Sequence, residues 1–265
     1  MPTTQIPPKA LIGMVHVGAL PGTPRAVLSV EELVKEALRD VWALAEGGCE
    51  AILVENMHDV PYLKREVGPE VVASMTAICR AVREATDLPC GVQILAGANE
   101  AALAVAQAAG FEFIRAEGFV FGHVADEGWM EGCAGPLLRY RRQIGAEGIA
   151  IWADVKKKHA AHAVTADVSL AETVEAAELC GAEAVIVTGA GTGKETSTKD
   201  LVAARRAAKL PVVVGSGVTV ENAASMLEWA DALIVGSSLK KDGNWREAVD
   251  LERVKALSAV VRAVR

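Results

Sequence analysis

A chain of 265 residues that is 51% hydrophobic can bury a substantial core, but with only 4% aromatic residues that core must be built from Ala, Val, Leu and Ile. Such a composition suits parallel strands buried on both faces beneath closely packed helices. The net charge of −7 and a pI near 5.4, with no basic run, argue against a nucleic-acid partner, because a phosphate backbone is repelled overall.

Short apolar runs and helical patterns alternate from end to end. Ala10–Val15 predicts a strand followed by a helix over 30–46; Ala51–Val54 precedes a helix over 69–86, and Gly91–Leu95 one over 99–109. Phe113–Arg115 leads to a helix over 137–146, Ala150–Asp154 to one over 169–180, and Ala184–Val187 to one over 199–208. Val212–Val214 with 220–229, and Ala232–Val235 with 246–264, complete eight strand–helix units. Eight strands are enough to close a barrel, so the expected fold class is α/β, a single (β/α)8 TIM barrel with residues 1–265 as one domain.

A repeated turn supports this reading. Gly48-Cys49-Glu50-Ala51, Gly110-Phe111-Glu112-Phe113 and Gly181-Ala182-Glu183-Ala184 each leave a helix through Gly and enter a strand through an acidic residue; Trp229-Ala230-Asp231-Ala232 is a degenerate fourth copy. Helix-to-strand connections are short, whereas the strand-to-helix loops 16–29, 55–68, 116–136, 155–168 and 188–198 are long. Long loops in a compact domain call for a function, and these fall on the side where barrel enzymes place their sites. The five cysteines are widely spaced without a CxxC pair, MPTTQIPPKA is no signal peptide, and no apolar run is long enough for a membrane span. A reducing, cytoplasmic setting is expected.

Three groups carry the candidate chemistry. Asp154 and Lys156 share one face if their strand continues that far, with His159 just beyond; a carboxylate beside a lysine can act as an acid/base pair, while Lys157 and Lys158 read as a solvated loop. His16 and Glu55-Asn56 close the first two strands, and Arg115 ends the fourth, placed to pair with a carboxylate or hold an anion. Gly215-Ser216-Gly217 and Gly236-Ser237-Ser238 end the seventh and eighth strands, where barrels commonly bind phosphate on backbone amides. Thr188-Gly189 opens a glycine-rich loop whose Gly193-Lys194-Glu195 departs from a Walker A motif, leaving ligand contact as its role. Glycines and aromatics in 116–136, among them Phe119, Phe121 and Trp129, suit a lid or a subunit contact in a homo-oligomer.

The stretch Gly13-Met14-Val15-His16-Val17-Gly18-Ala19-Leu20-Pro21-Gly22 resembles the BtpA/SgcQ family. So do Val54-Glu55-Asn56-Met57-His58-Asp59-Val60-Pro61-Tyr62, Arg139-Tyr140-Arg141-Arg142 and Ala153-Asp154-Val155-Lys156-Lys157-Lys158-His159. The resemblance spans nearly the whole chain. It implies a TIM barrel, an association with photosystem I biogenesis, and a nucleoside-triphosphatase label that the missing Walker A does not support.

The expected function is that of an enzyme on a small phosphorylated metabolite, a sugar or nucleoside phosphate. Its reaction, whether isomerisation, carbon–carbon cleavage or glycosidic cleavage, stays open. No cofactor is called for. One alternative is a non-catalytic assembly factor; another is a metal-dependent hydrolase that binds a divalent ion with His16, Glu55, Asp154 and His159, or with His159 and His162.

Overall fold

Strands buried on both faces need apolar side chains at successive positions, and the eight runs supply them. They form β1 (Ala10–His16), β2 (Ala51–Glu55), β3 (Cys90–Gln93), β4 (Phe113–Ala116), β5 (Ala150–Val155), β6 (Ala184–Val187), β7 (Val212–Val214) and β8 (Ala232–Val235). In a computed structural model, which describes residues 6–157, 159–189 and 196–265, all eight pair in parallel and close as a barrel in the order β1-β8-β7-β6-β5-β4-β3-β2. Lys158, Gly193, Lys194 and Glu195, named above, lie outside the described residues.

Period-two alternation divides each strand between two cores. Ile12, Met14, Leu53, Phe113, Trp152, Ile186, Val213 and Ile234 fill the barrel interior, while Leu11, Val15, Ile52, Val54, Val92 and Ile114 pack outward against the helices. Two of the aromatics meet inside: Phe113 and Trp152 stack with centroids 4.3 Å apart. Gly91 makes the room, since a Cβ there would lie 2.2 Å from the Phe113 ring.

The ring of helices is α1 (Val30–Gly47), α2 (Pro69–Ala85), α3 (Asn99–Ala109), α4 (Ala134–Gln143), α5 (Leu170–Leu179), α6 (Thr198–Ala207), α7 (Ala223–Met226) and α8 (Leu251–Ala263). Capping boxes start α1 at Ser29/Glu32 and α5 at Ser169/Glu172, each satisfying two backbone or side-chain donors that the first turn leaves open.

The repeated acidic turn has a structural explanation at the N-terminal end of the barrel. Glu50, Glu112, Glu183 and Asp231 each precede an even-numbered strand, and each accepts the amide of the first or second residue of the odd-numbered strand before it. The donors are Leu11 at 3.2 Å, Cys90 at 2.7 Å, Ile151 at 2.7 Å and Val212 at 2.8 Å. Every one of these carboxylates also takes an arginine: Arg265 on Glu50, Arg83 on Glu112, Arg141 on Glu183 and Arg205 on Asp231. The last three arginines come from α2, α4 and α6. The barrel is thus four βαβα units clamped alike, which is why the motif recurs in the sequence.

Departures from the expected elements have local causes. β3 stops at Gln93, two residues short, because Asn56 Oδ1 accepts the Leu95 amide at 2.7 Å and diverts the chain. α4 begins at Ala134, three residues early, since Pro136 sits in the first turn, where its missing N–H costs nothing. α7 covers only part of 220–229: Asn222 bonds the Thr219 amide and the Gly217 carbonyl and holds the preceding stretch as a turn. α8 waits for Asp250, which caps Glu252 and Arg253. The long 116–136 loop folds into strands His123–Ala125 and Gly128–Met130, and Ala160–Ala161 from the loop after β5 pairs as a third.

Candidate functional site

The alternation that fills the interior with apolar groups continues to the C-terminal end of the strands, where it places His16, Glu55, Gln93, Arg115, Asp154 and Thr188 around the mouth. His16 and Glu55 are register partners on β1 and β2, with Nε2 and Oε2 3.8 Å apart. His16 Nδ1 lies 3.2 Å from the carbonyl of Trp245. A carbonyl only accepts, so Nδ1 carries the proton, and Nε2 is the atom through which the ring gives or takes one on the Glu55 side.

Two glycines let this pair and its neighbours approach the strand ends. A Cβ on Gly236 would lie 3.0 Å from His16 Cε1 and Nε2; one on Gly215 would meet Ile186 Cγ2 at 2.5 Å and Arg115 Nη2 at 3.2 Å. The loops after β7 and β8 are tied together, Ser238 Oγ donating to the Val218 carbonyl at 2.6 Å. Ser216 Oγ accepts the Gly189 amide at 2.7 Å, which draws Thr188-Gly189 to the same rim. Between these loops lies a cleft of about 380 Å³, walled by residues 215–221 and 236–238 and floored by Met14, His16 and Glu55. That volume suits a small metabolite.

The opposite side of the mouth is closed. Arg115 holds Asp154 through Nε, at 3.3 and 3.2 Å from the two oxygens, and Nη2 at 3.1 Å, with side chains only 2% and 1% exposed. Burial opposes the charge on Arg115, but Asp154, Glu55 and Glu117 outweigh it and its pKa rises. Lys157 is not solvated: its Nζ lies 3.1 Å from Glu117 and 3.6 Å from Glu127, and these carboxylates keep it protonated against burial. The solvated-loop expectation fails because β5 ends at Val155 and Lys156 adopts φ +54, turning the Lys157 side chain inward. The three short strands cover this cluster. Beneath them lies a crevice of about 20 Å³, bordered by Asp154, Lys156, His123 and His162 and too small for more than about one water.

The remaining candidates fall outside the cleft. Asn56 is committed to the Leu95 amide and, through Nδ2 at 2.8 Å, to Asp59, which itself accepts the Leu20 amide. Lys156 borders the crevice, and His159 is exposed. His162 Nε2 lies 3.0 Å from the Lys157 carbonyl. Among the described residues, no group of three or more His, Cys, Asp or Glu side chains is placed to hold a metal ion.

Sequence reasoning missed several members of the site. Gln93 is buried at the end of β3, opposite Glu55, and its Oε1 has no hydrogen-bond partner among the described residues. Extending the β4 alternation past Phe113 and Arg115 would have found Glu117. His123, in the roof, is pushed down to about 4 by burial, then by Lys157 and His162, with Glu117 opposing. Trp245 enters only through its backbone, which no side-chain pattern reveals.

Comparison with known proteins follows the fold. The model of the BtpA family matches residues 7–263. An uncharacterized mitochondrial protein of Caenorhabditis elegans is 43% identical over 260 residues, covering 96% of this chain and 94% of the relative. The photosystem I biogenesis protein BtpA of Synechocystis is 38% identical over 247 residues, covering 93% and 85%. Among solved structures, orotidine 5'-monophosphate decarboxylase of Methanocaldococcus jannaschii superposes with a TM-score of 0.60 at 15% identity, over 96% of this chain and 99% of that one. The last likeness establishes a shared TIM-barrel fold and nothing finer. Among the described residues, no helix is long and apolar enough to cross a membrane.

Proposed function

The chain belongs to the BtpA family, and on that premise we propose that it is an enzyme acting on a small phosphorylated metabolite in the cleft between the β7 and β8 loops. One observation carries the reading: a single cleft is lined both by the glycine–serine loops at 215–217 and 236–238 and by the His16–Glu55 pair. Phosphate in the loops would meet backbone amides and the Ser237 hydroxyl, with Gly215 and Gly236 allowing close approach. Thr188, Gly189 and Ser216 shape that rim, and Asn56 positions the β2 end.

His16 Nε2 and Glu55 are the groups that move a proton on the bound metabolite. Arg115, fixed by Asp154, contributes positive charge beneath them as negative charge develops. These steps need only proton transfer, so isomerisation or lyase-type cleavage of a sugar or nucleoside phosphate fits the constellation. Lys156 and His159 receive no part in the reaction.

The test is a thermal-shift screen of phosphorylated metabolites, followed by turnover assays on any stabilising compound. The expected result is a stabilising phosphorylated compound that Glu55→Gln still binds but no longer converts. A screen without stabilisation, together with full cellular activity of His16→Gln and Glu55→Gln, would favour a non-catalytic binding scaffold. The biogenesis role borne by the name of the Synechocystis relative makes that the second reading.

A further inference from the structure

The cleft uses only one side of His16. The same residue also lines a second cavity of about 470 Å³, walled by the loop after β1, by α1 and by residues 245–248. Arg25, Arg39 and Arg246 line it with His58 and Trp245. The Arg246 guanidinium lies 4.3 Å from the Trp245 ring centroid, and the His58 ring stands 4.9 Å from Trp245.

The charges there do not cancel. Asp40 is engaged by the buried Lys240 at 2.9 Å and by the Val249 amide at 3.0 Å, with Arg39 Nε farther off at 4.0 Å. Three arginines then face Glu36 and Glu247, an excess of one cation. His58 responds to that field. Burial first, then Lys240, Arg246 and Arg25, push its imidazole down to about 4, with only Asp40 opposing. Burial disfavours any charge, but the cationic part of this field, from Lys240, Arg246 and Arg25, favours an oxyanion.

We infer that this second cavity binds an anionic reactant, its phosphate or carboxylate held by Arg25, Arg39 and Arg246, and that His16 stands between two ligand sites. Guanidinium forks match both oxyanions. His16 Nδ1 is tied to the carbonyl of Trp245, the residue before Arg246, so an anion drawn onto Arg246 acts on the segment that orients the ring. The anion site stands without the function proposed above, whereas a reaction between two ligands across His16 rests on it.

The test is isothermal titration of the full chain with inorganic phosphate and, separately, with succinate. It compares the unaltered protein with the double variant Arg25→Ala/Arg246→Ala and with Ser237→Asp. Both arginines and Ser237 are at least partly exposed, and circular dichroism checks that each variant is folded. The expected result is two phosphate sites, one weakened about tenfold or more by the arginine changes and the other by Ser237→Asp. Succinate binding that depends on the arginines identifies a carboxylate ligand, and phosphate binding alone a phosphate. A single site sensitive only to the arginine changes upholds this inference and overturns the phosphate cleft. A single site sensitive only to Ser237→Asp does the reverse, and titrations insensitive to the arginine changes overturn the inference whatever the cleft does.

Discussion

At the N-terminal end of the barrel one arrangement is made four times, a carboxylate bridging a strand amide and an arginine. At the C-terminal end the strands finish in different residues: His16, Glu55, Gln93, Arg115 and Asp154 on five of them, glycine loops on two more. Repetition at the first end serves closure, because every clamp answers the same unpaired amide at the start of an odd-numbered strand. Variety at the second end is what the proposed ligand would demand, since its groups differ from strand to strand. The contrast matches the division in barrel enzymes between a stabilising face and a working face.

Variants at the two ends should therefore separate stability from activity. The largest effect is expected at the working end. Glu55→Gln should lower turnover of the screened metabolite by about 10²–10⁴-fold, the usual contribution of a proton-transferring group, with little change in melting temperature. Equal losses of turnover and folding, measured by assay and by thermal denaturation, would place Glu55 in the scaffold instead.

Arg115→Met sharpens the comparison, because it tests a structural pair inside the working end. It removes the guanidinium held against Asp154 in a site where both side chains are nearly inaccessible, and breaking such a pair costs about 3–5 kcal/mol. Chemical denaturation should show that loss, and a change below about 1 kcal/mol would mean that the pair is not the keystone of the closed side.

Glu183→Gln tests one clamp. It weakens the acceptor for the Ile151 amide and removes the charge facing Arg141, so about 1–3 kcal/mol of stability should go. Ligand affinity at the other end should stay unchanged; a coupled loss of binding would end the division of labour.

A fourth effect appears only in the pH profile. His123 is held neutral, with its pKa pushed down to about 4 by burial and then by Lys157 and His162. Between roughly pH 6.5 and 4 the unfolded chain binds a proton there that the folded chain refuses, so stability falls as pH falls, by up to about 1.4 kcal/mol per pH unit. His123→Asn should flatten denaturation midpoints over that window, and an unchanged slope would show that the roof does not bury a neutral ring. His58, pushed down for similar reasons, leaves its own slope in place.

The barrel was legible in the sequence because strand and helix periods are local, and three strands keep the bounds their apolar runs suggest. The acidic turn was visible as a repeat, yet its role was not, since the amides it accepts and the arginines it meets lie many residues away. His16, Glu55, Arg115 and Asp154 could be read as polar groups at apolar strand ends. Gln93 could not, because Ile94 and Leu95 prolong the apolar run past the true end of β3, which Asn56 sets from another strand. Lys157 was hidden by the positive φ of Lys156, which breaks the alternation on which the reading relied.

The most direct measurement of the central claim is a crystal soak with arsenate, a phosphate mimic whose anomalous scattering locates it. An anomalous peak is expected between the 215–217 and 236–238 loops, within hydrogen-bond reach of Ser237 and on the Nε2 side of His16. A cleft without a peak, in crystals where arsenate at the same concentration is bound elsewhere on the molecule, would contradict the claim.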